Sequence, residues 1–155
     1  MSSAFVPKNP SFEAVVRESF ARQAMLATLG ARLQFVAPGE VHISLDHAVA
    51  LTQQNGFVHG GAITSIADSA CGYAAFTLAP PGTDVLAVEF KINLVSPARA
   101  PSFIARGRVL RSGRTLSACI AEVHGVSAQG EELVAIMLST VITRWGAVSS
   151  AHGEA

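Results

Sequence analysis

The chain has 155 residues, 50% hydrophobic and 14% charged, and its 11 basic and 11 acidic side chains cancel. Charge so far below the roughly 25% of an ordinary domain, with a mean hydropathy of +0.40, excludes disorder, coiled coil and polyelectrolyte behaviour. Neutrality also argues against nucleic acid or an anionic membrane as partner, since both demand a large positive charge, and the length suits one domain.

So thin a polar coat points to a surface partly covered in an oligomer. Cys71 and Cys119 are too few for a disulfide scaffold and are expected as buried, reduced thiols. The opening MSSAFVPKNP has no charged segment followed by an apolar core, and Asp68 interrupts the most apolar long stretch, 62–79. The expected location is the cytoplasm.

Along residues 11–29, Phe12, Val16, Phe20 and Ala24 recur at four-residue intervals, with Ser11 as N-cap and Gly30 as the stop, which predicts one amphipathic helix. The period then changes to two. Val41, Ile43 and Leu45 alternate against His42, Ser44 and Asp46, so 31–46 reads as a hairpin turning at Pro38-Gly39. After the amide- and glycine-rich loop LTQQNGFVHGG, small residues fall all around a helix expected at about 60–79; a helix with no polar face is buried.

Pro80-Pro81-Gly82 ends it, and four strands follow at 85–95, 102–111, 115–126 and 132–145. In the first, Leu86, Val88, Phe90, Ile92 and Leu94 are expected on one face. Short links at Ser112-Gly113 and 128–130 make the last three an antiparallel meander. Residues 146–155 read as a flexible tail, leaving 1–145 as one α+β domain in which an antiparallel sheet wraps a central helix.

The chemistry gathers at the start of that helix. The first N–H groups of a helix at His59-Gly60-Gly61 lack intrahelical partners and sit at the positive dipole end, which suits a developing oxyanion. Glycines leave the approach open. Asp68, one of three aspartates in the chain, stands mid-helix where a carboxylate is costly to bury. Eight residues separate it from Gly60, about 12 Å, too far to share one reacting carbon. A two-fold partner with antiparallel central helices brings one chain's Gly60 to the other's Asp68.

Gln53, Gly56, His59-Gly60-Gly61, Asp68 and the later VEFKINLVSPA together resemble the hotdog-fold acyl-CoA thioesterases of the phenylacetate-pathway (PaaI-like) type, over roughly residues 30–145. The resemblance implies a homodimer with interface active sites, plausibly a homotetramer, hydrolysing aromatic or medium-chain acyl-CoA to acid and coenzyme A. It needs no cofactor or metal, coenzyme A being part of the substrate. By the same resemblance the Gly60 N–H polarises the thioester carbonyl, Gln53 supports the thioester, and the partner's Asp68 is nucleophile or general base. His59 orients the loop in preference to serving as acid or base, and Gly61 and Asn55 contact substrate. Where many relatives carry a Ser or Thr near the carboxylate, this chain has Gly72 and Ala87. Phe57, Val58, Tyr73 and Phe76 are candidates for lining the acyl pocket.

Lys91, Arg99, Arg106, Arg108, Arg111 and Arg114 follow one another with no acid between Glu89 and Glu122. Arg111, Ser112, Gly113, Arg114 and Thr115 form a turn whose guanidinium, amide and hydroxyl donors suit the phosphates of coenzyme A, as in relatives. Two other readings stand beside hydrolysis: a non-catalytic acyl-CoA sensor and, further off, a hotdog hydratase or dehydratase.

Overall fold

The computed structural model describes residues 5–146, so all but the first residue of the expected tail lies outside the described residues. The helix expected at 11–29 is two: α1 (Phe12–Ala21) and α2 (Ala24–Leu29). Between them Gln23 takes an extended backbone, and its side-chain amide donates to the Tyr73 hydroxyl at 3.0 Å. The break has a packing reason. An unbroken helix would turn Ala24 inward, whereas the kink lets Val16 and Leu26 both reach the core, leaving Ala24 exposed. Ser11 holds the N-cap position without a side-chain cap; instead its own N–H donates to Asn9 Oδ1 at 2.9 Å.

The hairpin forms as expected from β1 (Arg32–Ala37) and β2 (Glu40–Asp46). The central helix α3 spans Gly60–Phe76. It stops short of residue 79 because Thr77 turns its hydroxyl onto the Ala74 carbonyl and accepts the Gly39 N–H, just before two prolines. The remaining strands are β3 (Thr83–Leu94), β4 (Ser102–Ser112), β5 (Leu116–Ser127) and β6 (Gly130–Trp145). All pairings are antiparallel in the order β1-β2-β4-β5-β6-β3. This is the α+β hotdog arrangement, one sheet curled around one helix.

Small residues let helix and sheet approach closely. Ala67, Ala70, Cys71 and Ala74 are fully buried, as are Ala105, Ala121 and Ala135 of the sheet. Gly107 of β4 lies directly under the helix: a Cβ there would stand 2.4 Å from the Ala70 carbonyl oxygen. Both thiols lie in this core, and burial raises both, Cys119 to about 12, so both stay protonated.

Two expectations change. The buried helix is not sealed all round, for Gly60, Gly61, Thr64, Ser65, Asp68, Ser69, Gly72 and Phe76 form one less-buried stripe. And β3 does not keep one apolar face. A bulge between Ala87 and Glu89 reverses its parity, so Leu86 pairs with Ile142 on the face opposite to Phe90, Ile92 and Leu94, which lie level with Ser139, Met137 and Ala135. The result is a 12-residue edge strand with Val88 53% and Leu94 55% exposed. No helix among the described residues is long and apolar enough to cross a membrane.

Candidate active site

The loop before α3 is a clamped structure. Gln53 donates its N–H to the Phe57 carbonyl at 2.9 Å and accepts the Gly56 N–H at 3.0 Å. Gly56 takes a φ of 81°, and its carbonyl lies 3.1 Å from His47 Nε2. The Gln53 side-chain oxygen accepts the Asn55 N–H within the loop, which leaves the amide NH2 as the end free to reach a ligand. Asn55 itself is exposed at the tip.

His59 is the N-cap of α3, and its Nδ1 accepts the Gly61 N–H at 2.8 Å. That bond holds the ring against the start of α3 and engages the Gly61 amide. The Gly60 N–H has no acceptor among the described residues. It opens on a cavity of about 300 Å³ lined by Gln53, Phe57, Ile63, Leu94 and Pro97, among others. A Cβ at 60 would come within 2.7 Å of Leu94 Cδ1, the tip of an exposed side chain that can turn aside. On Phe57 rests the Arg99 guanidinium, 4.6 Å from the ring centre.

Asp68 lines a different cavity, of about 310 Å³, with Ser69, Gly72, Tyr73, Phe76, Leu86 and Ala87. Its Oδ1 is buried with no hydrogen-bond partner among the described residues, and burial holds its carboxyl above the usual carboxylate range. The hydroxyls of Thr64 and Ser65 are occupied, bonding back to the Gly60 and Gly61 carbonyls at 2.7 and 2.8 Å. Gly72 and Ala87, the two positions without a hydroxyl, both face Asp68's cavity.

One protomer therefore holds Gln53 and Gly60 together and Asp68 apart. The acyl-pocket candidates divide the same way, Phe57 and Val58 with Gly60, Tyr73 and Phe76 with Asp68. Sequence reasoning missed Ser19 and Gln23, which line the carboxylate's cavity and reach the Tyr73 hydroxyl at 3.4 and 3.0 Å. Only the return of α1 onto α3 places them there, and no local motif announces that.

The Arg111–Thr115 stretch forms the expected tight link, with the Gly113 N–H on the Leu116 carbonyl at 2.8 Å. The link lies at the far end of the sheet from Gly60. Leu116 is level with Ile142 and Leu86, while Gly60 meets Leu94, about 26 Å away at about 3.3 Å per residue. Of the six cations from Lys91 to Arg114, Arg106 alone pairs with a carboxylate among the described residues, Glu131 at 2.7 Å.

The sequence profile of the thioesterase superfamily matches residues 55–133, from the loop tip into the start of β6. The chain belongs to the thioesterase superfamily. A thioesterase family protein from Silicibacter pomeroyi is 42% identical and superposes with a TM-score of 0.85, over 87% of this chain and 99% of that one. The PaaI protein of the Escherichia coli phenylacetic acid degradation operon shares the fold, with a TM-score of 0.77 at 20% identity over 88% of this chain and 94% of that one. A curated Saccharolobus solfataricus protein, named provisionally as an esterase, is 31% identical over 93 residues, and this superfamily member matches 64% of its length and 60% of its own.

Proposed function

We propose that the protein hydrolyses acyl-CoA thioesters, with aromatic or medium-chain acyl groups, as at least a homodimer. The observation that carries this reading is the pairing of two unsatisfied groups on the open stripe of α3. One is the Gly60 N–H, the other the buried, partnerless Asp68 Oδ1. An orphaned buried carboxylate is costly and is retained where a ligand completes it.

A second copy supplies the geometry. The apolar edge of β3 is suited to antiparallel pairing with itself, and such a two-fold sets the Gly60 end of one protomer against the Asp68 cavity of the other. The Gly60 amide then polarises the thioester carbonyl, with the Gln53 amide supporting it and His59 holding the helix start. Asp68 of the partner subunit acts as nucleophile or as general base. As general base Asp68 takes a proton from the water that attacks the acyl carbon; as nucleophile it forms a mixed anhydride that water then hydrolyses; in both courses the C–S bond breaks and sulfur leaves as thiolate and is protonated. The products are a carboxylic acid and free coenzyme A. The Arg111–Thr115 link takes the coenzyme A phosphates.

The test is thiol release from short, medium, long and aromatic acyl-CoAs by wild type and Asp68→Asn. Turnover in the variant is expected to fall about 10²- to 10⁴-fold, the range for losing a positioned base; wild-type turnover there would sink the assignment. Mixed dimers of Asp68→Asn and Gly60→Val chains hold one intact composite site, so they are expected to recover up to half of wild-type turnover. No recovery in isolated heterodimers would place both groups in one chain.

A further inference from the structure

We propose that His47 is a positioning residue: it ties the turn that carries Gln53 to the sheet frame on which α3 and Gly60 rest, and so keeps the Gln53 amide aimed at the cavity that Gln53 and Gly60 share. The inference rests on the acyl-CoA reading for the ligand and deepens it with a residue from outside both the loop and α3.

The tip of the turn has little else to hold it. Gln54, Asn55 and Gly56 are exposed, Gly56 takes a φ of 81°, and a Cβ there would meet no atom of the described residues within 4 Å. Among the described residues, the hydrogen bonds of 53–57 all stay inside the turn except one, from His47 Nε2 to the Gly56 carbonyl at 3.1 Å. A carbonyl oxygen only accepts, so Nε2 carries the proton in that bond. The Arg99 guanidinium rests on Phe57 at the end of the turn and leaves the tip to His47.

His47 itself is fixed. It follows directly on Asp46, the last residue of β2, and its own N–H donates to the Pro101 carbonyl at 2.9 Å. Asp46 is level with Ser102 of β4 and is held by the Arg32 guanidinium at 2.9 Å. β2 in turn packs on α3, with Val41, Ile43 and Leu45 all fully buried. Gly60 is placed by α3, whereas Gln53 is placed by a turn whose tip nothing packs on. The His47 bond refers both groups to one frame. A hydrogen bond of this kind shifts an equilibrium about two- to tenfold, so His47 tunes the aim of Gln53 and leaves the chemistry to other groups.

Steady-state kinetics and hydrogen exchange test this together. His47→Ala is expected to lower kcat/KM for acyl-CoA about three- to tenfold. His47→Gln, whose amide nitrogen reaches about as far as Nε2 and does not titrate, is expected to recover most of that loss with a pH profile that superposes on wild type. In a Gln53→Ala background the same His47→Ala change is expected to cost less than about twofold, because a residue acting through Gln53 has nothing left to position. Without any substrate, exchange of the Gly56 amide, which donates to the Gln53 carbonyl, is expected to speed up about three- to tenfold in His47→Ala and to return in His47→Gln, while the amides of α3 keep their protection. Equal losses with and without Gln53, or Gly56 exchange unmoved by His47→Ala, overturns the proposal. So does a His47→Gln variant that loses a limb of the pH profile, which would make His47 a proton carrier. The two readings also fail separately. Asp68-dependent hydrolysis unaltered in His47→Ala removes the tether alone. A wild type that hydrolyses no thioester, with Gly56 exchange still released by His47→Ala, removes the hydrolase and keeps the tether.

Discussion

Along one side of α3, Ala67, Ala70, Cys71 and Ala74 press onto the sheet with no exposed surface, whereas along the other, Gly60, Asp68, Ser69 and Gly72 stay open to two cavities. The first side is closed within the chain by small residues meeting small residues. The second carries small and polar residues that nothing among the described residues covers. What separates the sides is whether the sheet of the same chain covers them, and the candidate site residues Gly60 and Asp68 lie on the side left open.

The closed side breaks most readily at Gly107. A Cβ there meets the backbone carbonyl of Ala70 at 2.4 Å, and a backbone atom in mid-helix cannot step aside as a side chain can. Gly107→Ala is expected to cost about 3 kcal/mol and to lower Tm by about 10 °C. An unchanged melting curve would show that helix and sheet are not in contact there.

That close approach was not legible in the sequence, where Gly107 reads as one glycine in an arginine-flanked strand. Legible were the elements with a clean period: the hairpin with its Pro38-Gly39 turn, the last three strands, and a helix beginning at Gly60. Periodicity failed where tertiary packing overrode it. Gln23 breaks the first helix to seat Leu26, and the β3 bulge, which no composition marks, moves Leu86 to the other face. The open stripe of α3 escaped for a further reason. Glycine, serine and threonine count as small and compatible with burial, so a pattern of them does not distinguish burial in one chain from burial between two. For the candidate site, spacing singled out Gly60 and Asp68 and set them about 12 Å apart on one helix, and the structure gives each its own cavity. Spacing did not reveal Ser19 and Gln23, which come from an element distant in sequence.

The open side is tested by the charge it carries. Burial favours the protonated Asp68 carboxyl, so the folded protein binds that proton more tightly than the unfolded chain does. The stabilisation this gives is complete below the ordinary carboxylate range and is lost as pH rises through the higher folded-state value. Asp68→Asn carries no charge to bury, so its denaturant midpoint is expected to lie above that of wild type at neutral pH and to match it near pH 3. Denaturant midpoints at the two pH values check this. A variant weaker than wild type at pH 7 would mean that the carboxylate has a stabilising partner in the assembled protein.

The smallest effect discriminates most finely between the two sides. Gly72 lies on α3 as Gly107 lies under it, but a Cβ at 72 meets no atom of the described residues within 4 Å. A glycine inside a helix costs roughly 0.5–1 kcal/mol relative to alanine, through the freedom it has in the unfolded chain. Gly72→Ala is therefore expected to raise Tm by about 2–4 °C. The comparison is informative because the same substitution has opposite signs on the two sides for a purely geometric reason. If Gly72→Ala instead destabilises, the cause must lie outside the protomer: a second copy packed closely enough on the open stripe to exclude a methyl group. That outcome would make the open side an interface as tight as the closed one, and sedimentation of the variant would then show dissociation alongside the fall in Tm.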